Sequence, residues 1–299
     1  MNSNGAVKPS TFSIVAYDRE VRQWGVAVQS KFLAVGSVVP WAEAGVGAVA
    51  TQAAANTRFG PDGLSLLRQG LSAPAALDQL IAADPERDHR QVGIIDHQGR
   101  AAVYTGKSCY DWAGHLIGPG FTCQGNILVS RETVQAMGEA FQASPGPLAQ
   151  RLLRALQAGQ DAGGDRRGQQ SAALLIVQAK GGYGGFTDRL IDLRVDDHPQ
   201  PMAELARLLD LQQLYFGATE RTIALDDGET VRQIQTMLKT FGHYRGKPTG
   251  RLDAATLKAI EDFHNIENLE MRRGSDPNQI DAAVFQFMNE RYQAKPKAS

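Results

Sequence analysis

The chain has 299 residues, enough for one sizeable domain and a smaller companion, and its 42% hydrophobic and 21% charged residues are typical of globular proteins. Disordered, fibrous and miniature classes are therefore excluded. The 31 lysine and arginine residues nearly balance the 32 aspartate and glutamate residues, so a surface that follows nucleic-acid phosphates is not expected.

Membrane and metal classes are also disfavoured. No stretch approaches the ~20 apolar residues that cross a bilayer, and residues 1–10 lack the apolar core of a secretory signal. We therefore expect a cytoplasmic protein without membrane contact. The two cysteines, Cys109 and Cys123, are too few for a disulfide framework and have no zinc-ligand spacing. They are interpreted as buried thiols, and no metal or cofactor is expected.

The first strands are predicted from short apolar runs that turn residues separate. These runs do not alternate strictly between apolar and polar positions, so we expect sheets that are buried on both faces. The predicted strands cover residues 11–17, 24–30, 32–41 and 46–52. Two helices are then expected at 62–70 and 73–83, the second with Pro74 in its first turn.

A second block repeats this order of strands and helices. Its predicted elements are strands at 92–96, 101–105 and 121–129, helices at 132–143 and 147–158, and strands at 172–178 and 190–194. Because helices follow each group of strands, they can cover both outer faces of two packed sheets. We predict an α+β fold, a four-layer αββα sandwich of two antiparallel sheets.

The last third of the chain is expected to be helical. A connecting helix at 202–215 and a linker to residue 228 are predicted to lead into a small all-α three-helix bundle at 229–299. Its helices are expected before Gly242, after the cap Asp253, and after Asp276 and Pro277. The predicted organisation is thus an N-terminal extension 1–10, a sandwich domain 11–200, a connection 201–228 and the bundle.

Several long motifs resemble one known family. They are TFSIVA, WGVAVQSKFLAVGSVVPWAEAGVGAVATQAAAN, HRQVGIID, TCQGNIL and GGDRRGQQSAALLIV, all between residues 11 and 201. This region resembles the prokaryotic domain-of-unknown-function family 1028, placed in the N-terminal-nucleophile (Ntn) hydrolase superfamily. The resemblance implies an αββα fold and hydrolysis of an amide bond by a Thr, Ser or Cys at the start of the first strand.

The C-terminal region carries a second, shorter resemblance. The stretch GHYRGKPTGRLDAATLKAIEDFH is similar to peptidoglycan-binding modules, which are small three-helix bundles. A glycan is one partner that this implies. Because the expected export signal is absent and such a bundle is a reusable shape, a protein partner is the alternative.

Thr11 falls on the nucleophile position of the superfamily. If Thr11 were the first residue of a mature chain, its own α-amine, with a pKa near ~8, would accept the hydroxyl proton. The six histidines form no recognisable relay with a serine and an acid, and Ser13 or Ser30 as nucleophile would need a separate base. Ten residues precede Thr11, so this chemistry requires cleavage after Ser10.

Three more residues are assigned to the catalytic site, Lys31 and Gln52 through the resemblance and Asn126 from the chemistry of its amide. Lys31 matches the place where some threonine-type members keep a lysine that lowers the proton affinity of the nucleophile; a solvent-facing loop lysine is the alternative. The backbone N–H of Gln52 is assigned as oxyanion donor. Asn126 is costly to bury without partners, so it either caps a turn or faces the site.

A polar loop before the strand at 172–178 is the predicted substrate-binding segment. Arg166 and Arg167 could clamp a carboxylate, Asp165 could hold an ammonium group, and Gln169 completes the set. The alternative is a solvated turn with a surface ion pair.

The leading hypothesis is an amidohydrolase that acts on a small amide or peptide-like molecule through Thr11. The alternative is a non-catalytic protein that binds a small molecule or glycan on the same scaffold. Since such sandwiches often pair through exposed helices, a homo-oligomer is expected in either case.

Overall fold

The computed structural model describes residues 11–294, so the predicted extension at residues 1–10 lies outside the described residues. The chain divides into two compact units, one that ends at Leu209 and one that begins at Asp210. Helices of the described part are all too short or too polar to cross a membrane.

The larger unit is a mixed α/β structure. In chain order its strands are β1 (Thr11–Asp18), β2 (Gln23–Ser30), β3 (Pro40–Glu43), β4 (Gly47–Ala53), β5 (Arg90–Asp96), β6 (Ala101–Thr105), β7 (Gly114–Gly118), β8 (Phe121–Asn126), β9 (Ser171–Val177) and β10 (Arg189–Val195). Its helices are α1 (Phe59–Arg68), α2 (Ala73–Ala83), α3 (Glu132–Ala143), α4 (Leu148–Asp161) and α5 (Pro201–Phe216), which continues past Leu209.

Two antiparallel sheets contain these strands. The six-stranded sheet has the order β10-β9-β2-β1-β8-β7, and the four-stranded sheet has the order β3-β4-β5-β6. The prediction of two antiparallel sheets is therefore confirmed. β1 lies in the middle of the larger sheet, where Thr11 pairs with Ser30 of β2 on one side and with Asn126 of β8 on the other.

The two faces of β1 meet different partners because side chains alternate along a strand. Phe12, Ile14 and Ala16 belong to an apolar cluster with α3 and α4. Val15 belongs instead to a cluster that the four-stranded sheet shares, and the Ser13 hydroxyl also reaches that sheet. The even-numbered residues of β1 thus face helices, and the odd-numbered residues face the second sheet.

Helices pack on each sheet through apolar stripes at helical spacing. Leu148, Leu152 and Leu156 of α4 lie in the cluster with the six-stranded sheet. Gly25 of β2 permits this approach, since a Cβ there would lie 2.6 Å from the Leu152 side chain. On the four-stranded sheet, α1 and α2 contribute leucines to a cluster that includes Ile94.

The smaller unit is mainly helical. It contains β11 (Thr222–Ala224), α6 (Gly228–Phe241), α7 (Ala254–Ile266), β12 (Gln279–Asp281) and α8 (Ala282–Gln293). One apolar cluster, with Phe263 fully buried in it, takes residues from all three helices. Asp227 and Asp253 cap α6 and α7 with their side chains, and Gly242 ends α6 at a φ of 92°.

Two predicted elements are wrong. Residues 32–41 are not one strand, because Ala34 has a left-handed φ of 52° and Val35–Ser37 turn into a 3-10 helix before β3. The last helix does not follow Asp276 and Pro277. Residues 279–281 instead form β12, which pairs with β11 inside the predicted linker, and α8 begins only after Asp281 caps it.

Candidate active site

Thr11 is completely buried at the start of β1. Its hydroxyl lies 3.2 Å from the hydroxyl of Ser30, and its backbone carbonyl accepts a hydrogen bond of 3.3 Å from Gln52 Nε2. Asn126, its register partner on β8, is 1% exposed. The structure therefore brings three of the predicted catalytic residues, Thr11, Gln52 and Asn126, to one end of the space between the sheets.

Buried amide side chains surround this end of β1. We call the group of Gln52, Gln91, Gln124 and Asn126 the amide cluster, and all four are at most 1% exposed. Gln52 and Gln91 come from the four-stranded sheet, and Gln124 and Asn126 come from the six-stranded sheet. The cluster thus joins the two sheets by hydrogen bonds where the space between them would otherwise be filled with apolar side chains.

Gln91 has the most partners in this cluster. Its Oε1 accepts from Gln52 Nε2 at 2.8 Å and from Asn126 Nδ2 at 3.0 Å. Its Nε2 lies 2.8 Å from the carbonyl oxygen of Gly125 and 3.1 Å from that of Gly114. Because a carbonyl oxygen can only accept, these two partners identify the nitrogen of the Gln91 amide. The donor and the acceptor in the neighbouring hydrogen bonds follow from that assignment.

The Ser13 hydroxyl is also held within the cluster. It donates to Gln52 Oε1 at 2.5 Å and accepts from Gln124 Nε2 at 2.7 Å. Gly93 on β5 leaves room for this contact, because a Cβ there would lie 2.5 Å from Gln124 Oε1. Ser13 is therefore a structural link between the sheets in this state.

The backbone of Gln52 lies in the sheet ladder. Gln52 pairs with Gln91 of β5, while the preceding N–H, that of Thr51, donates to Val39 on the opposite side of β4. Since successive N–H groups along a strand point to opposite sides, the Gln52 N–H points toward β5. Its assignment as oxyanion donor stays a prediction, whereas its side chain is the part that reaches Thr11.

A small cavity adjoins Asn126. Its volume is about 10 Å³, roughly the space of one water molecule, and its lining includes Asn126, Ala53 and Cys109. Ala53 and Ile127, the residue after Asn126, both have positive φ, at 65° and 50°. Strained non-glycine backbone of this kind is found most often at functional sites.

Lys31 and Asp165 meet just beyond β2, but not at the Thr11 hydroxyl. The Asp165 carboxylate accepts the Lys31 backbone N–H at 2.8 Å, whereas Lys31 Nζ donates to the carbonyl of Gln169 at 3.3 Å. The Lys31 side chain is exposed. Its predicted effect on the nucleophile therefore has no supporting contact in this state.

The predicted substrate-binding residues are partly engaged with one another. Asp165, 3% exposed, accepts from the Arg167 backbone N–H at 2.9 Å and pairs with the Arg167 guanidinium at 3.1 Å. Arg166 is exposed, and its backbone N–H donates to Ile127. Any ammonium group at Asp165 would have to compete with these internal bonds.

Sequence reasoning missed Gln91, Gln124 and the structural role of Ser13. The signal that could have identified them is a polar residue inside an apolar strand, and it was used only for Asn126. Neither cysteine forms a disulfide within the described residues; Cys123 is buried, which raises the pKa of its thiol, whereas Cys109 is only half-buried, so the interpretation of both as buried thiols is wrong for Cys109. Within residues 11–294 no three metal-ligating side chains are grouped together.

Comparisons with known proteins match both units. The family described as "Family of unknown function (DUF1028)" matches residues 11–205, and the family described as "Putative peptidoglycan binding domain" matches residues 219–288. A solved structure, protein SPO2555 from Silicibacter pomeroyi, is 32% identical over 68% of this chain and 89% of its own, with a TM-score of 0.63. None of the curated proteins matches.

Proposed function

The chain belongs to the family of unknown function DUF1028, and from this premise we propose that its larger unit is an N-terminal-nucleophile amidohydrolase with Thr11 as nucleophile. The observation that carries the proposal is the place of Thr11, a hydroxyl at the start of a central strand, beside a second hydroxyl and a buried amide cluster. The packing of helices on both sheets supports the αββα layer order of that superfamily.

The proposed reaction begins with cleavage of the bond between Ser10 and Thr11. Cleavage frees the α-amine of Thr11, which takes the proton from Oγ1 as that oxygen attacks the substrate carbonyl. The C–N bond then breaks, the leaving amine takes that proton, and the acyl group remains on Oγ1 as an ester. Water hydrolyses the ester to the acid and restores the Thr11 hydroxyl.

The remaining residues receive supporting roles in this proposal. Asn126, the register partner of Thr11, lines the small cavity and is assigned as donor to a developing oxyanion. Ser30 lies close enough to the Thr11 hydroxyl to orient it. Because Thr11 is fully buried in the uncleaved chain, cleavage must also open a path to the hydroxyl.

The test is a comparison of three variants in cleaved protein. Intact-mass measurement first establishes whether the chain begins at Thr11, and turnover is then measured on a panel of N-acyl amino acids and dipeptide anilides. Thr11→Ala should abolish turnover, and Thr11→Ser should retain part of it because it keeps a hydroxyl.

Thr133→Val is the matched control. Thr133 is a buried threonine of α3 whose hydroxyl has no partner among the described residues, so its loss should leave turnover unchanged. Equal turnover of the Thr11→Ala and unmodified proteins would exclude Thr11 as the nucleophile.

The second candidate is a non-catalytic protein that binds a small molecule or glycan. The observation that favours it is the complete burial of Thr11, together with the internal bonds that occupy Ser13 and Asp165. An intact mass that retains residues 1–10 in protein from its natural source would support this candidate over the enzyme.

For the smaller unit we propose a binding role toward a glycan or a protein partner, on the basis of its family match. We further propose that α6, α7 and α8 form the three-helix bundle of such modules around their shared apolar cluster. Calorimetry of the full chain with muropeptides tests the glycan, and no heat at millimolar concentration would leave the protein partner as the remaining proposal.

A further inference from the structure

A second cleft, separate from Thr11, opens beside the edge strands of the two sheets. Its volume is about 580 Å³, within the range of ~300–1,000 Å³ that small-molecule sites occupy. Residues from β6, β7, the connection between them and the start of α3 line it. Neither the family descriptions nor the proposed hydrolysis assigns a role to this cleft.

His115 is hydrogen-bonded to Thr105 in this cleft. Its Nδ1 lies 2.8 Å from the hydroxyl oxygen of Thr105, and that oxygen lies 2.9 Å from Gln91 Nε2. An amide nitrogen cannot accept a hydrogen bond, so the Thr105 hydroxyl does not donate to Gln91, and its proton can go to Nδ1 of His115. Thr105 thus lies between the buried amide cluster and a side chain that lines the cleft.

The direction of the hydrogen bond between Thr105 and His115 determines which ring nitrogen of His115 can donate to a ligand. Burial lowers the pKa of its imidazole and so favours the neutral ring. With Thr105 as the donor to Nδ1, the single ring proton of the neutral form is on Nε2. No described residue is bonded to Nε2, which leaves this N–H as a donor for the cleft.

The cleft offers one cation to an anionic ligand. Lys107 is paired with Asp88 at 3.2 Å, whereas Arg131 forms no ion pair with any residue that the structure describes. Arg131 is also the cap residue of α3, where the Glu132 carboxylate in the first turn offsets the helix dipole, so the cation of the cleft is the Arg131 guanidinium and not the helix end. Asp111 is the only acidic residue among those that line the cleft.

Trp112 supplies an apolar wall. Its indole lies against Gly114, where a Cβ would come within 2.5 Å of the ring. The indole is half-buried, and it packs in part against the apolar cluster beneath α3. A ligand with both a charged and an apolar end can therefore use Arg131 and Trp112 together.

We propose that this cleft binds a small carboxylate that carries an apolar group. The carboxylate pairs with the Arg131 guanidinium and accepts the Nε2–H of His115, and the apolar group contacts Trp112. Cys109 lines both this cleft and the cavity beside Asn126, so the two sites share a wall. The proposal concerns binding alone and does not depend on Thr11 as a nucleophile.

The test uses the full uncleaved chain and phenylacetate as the probe. Calorimetry should detect binding, and NMR of the histidine rings should show a shift of the His115 Nε2 resonance larger than that of the other five histidines. Benzylamine, which has the same ring with the opposite charge, should not bind. Inorganic phosphate separates general anion binding from carboxylate binding and should bind more weakly than phenylacetate.

Two arginine variants complete the experiment. Arg131→Gln should weaken phenylacetate binding about tenfold or more, since a charge-assisted hydrogen bond is lost. Arg154→Gln is the control, because Arg154 lies on α4, is exposed and donates only to the Pro145 carbonyl within the described residues. Its affinity for phenylacetate should be unchanged.

Several results would overturn the proposal. They are equal affinity in the Arg131→Gln and unmodified proteins, binding of benzylamine as tight as that of phenylacetate, phosphate binding as tight as that of phenylacetate, and no binding at ~20 mM phenylacetate, where even weak sites are occupied. Thr105→Val is a further test, in which NMR reports the tautomer of the His115 ring. A purely structural role of Thr105 would not change this tautomer. Without the Thr105 hydroxyl, the His115 ring should lose its preference for the Nε2–H tautomer.

Discussion

The space between the two sheets has two contrasting ends. At one end Val15, Trp24 and Val26 of the large sheet pack with Ala48 and Ile95 of the small sheet. At the other end the same two sheets are joined by the amide cluster. The apolar end shows that this fold can fill the space with apolar side chains alone.

The contrast is visible along β1 itself. Val15 and Ser13 lie two residues apart on the same face, one in the apolar cluster and the other hydrogen-bonded to two glutamines. A buried polar network contributes less to stability than well-packed apolar residues unless every member is paired. A function at the Thr11 end is a reason to keep such a network. Four variants test how the two ends differ in their contributions to the free energy of unfolding.

The largest effect is expected at Gln91. Replacement by leucine removes the donor to the Gly125 carbonyl and the shared acceptor of the Gln52 and Asn126 amide nitrogens. At about 1–3 kcal/mol for each lost buried hydrogen bond, we expect Gln91→Leu to lower the free energy of unfolding by about 3–5 kcal/mol. Urea unfolding measures this loss, and a change below about 1 kcal/mol would show that the amide cluster is not a stabilising network.

The second effect concerns a buried carboxylate near the apolar end. Asp96 ends β5 with its side chain buried, and it accepts from the N–H groups of Ala73 and Gln98 and from Arg100 Nε. Burial raises the pKa of Asp96, but these bonds together outweigh it and hold the pKa below its usual value. We expect Asp96→Asn to cost about 2–3 kcal/mol at neutral pH, as bonds to a charged group are lost.

The pH dependence of this loss follows from the direction of the pKa. Because the folded-state pKa of Asp96 lies below the unfolded value of about 3.9, its contribution is complete above that pH and is lost as the pH falls through the folded pKa. The stability difference between Asp96→Asn and the unmodified protein should therefore shrink below about pH 3.9. A difference that stays constant in acid would contradict this account.

The third variant introduces a hydroxyl at the apolar end. Val26 is fully buried opposite Val15, and threonine has nearly its shape. Val26→Thr should lower the free energy of unfolding by about 1–3 kcal/mol, since the new hydroxyl has no acceptor in the apolar cluster. Thermal unfolding measures the effect, and a neutral result would mean that the apolar end tolerates polar groups as well as the amide end does.

The smallest effect is expected at Gln29, a buried glutamine outside the amide cluster. Both polar atoms of its side chain lack a hydrogen-bond partner among the described residues. Replacement by methionine keeps the size and removes the unpaired amide, so Gln29→Met should be neutral or stabilising by about 1 kcal/mol. Gln29 and Gln91 are both buried but, within the described chain, only the Gln91 side chain is hydrogen-bonded, so the two variants together separate the effect of hydrogen bonding from that of burial. A loss of unfolding free energy in Gln29→Met as large as in Gln91→Leu would show that hydrogen bonding is not what distinguishes the two sites.

Much of the fold follows from local patterns. The predicted helices at 73–83 and 132–143 are confirmed with the same bounds, and Ser72 caps the first of them ahead of Pro74. Periodicity and capping act within a few residues, so the sequence alone reveals them. Edge strand β7 was missed because its five residues include two glycines and a histidine and carry little strand signal.

The candidate site was predicted only in part. Thr11 was predicted at the start of the first strand, where the structure has it, whereas Asn126 was predicted inside a strand at 121–129 and instead ends β8. Gln91 and Gln124 were not identified, because a glutamine in a strand does not reveal which other strand it faces. The register between β4 and β5 and the approach of the two sheets bring them together.

The amino-acid order by itself therefore determined the helices, most strands, the division into a sheet-rich and a helical part, and the position of Thr11 at the start of a strand. Only the tertiary structure decided that Gln52, Gln91 and Gln124 share hydrogen bonds and that Thr105 is hydrogen-bonded to His115. The physical reason is range: propensity and capping act between neighbours in the chain, whereas these contacts join residues up to 72 positions apart.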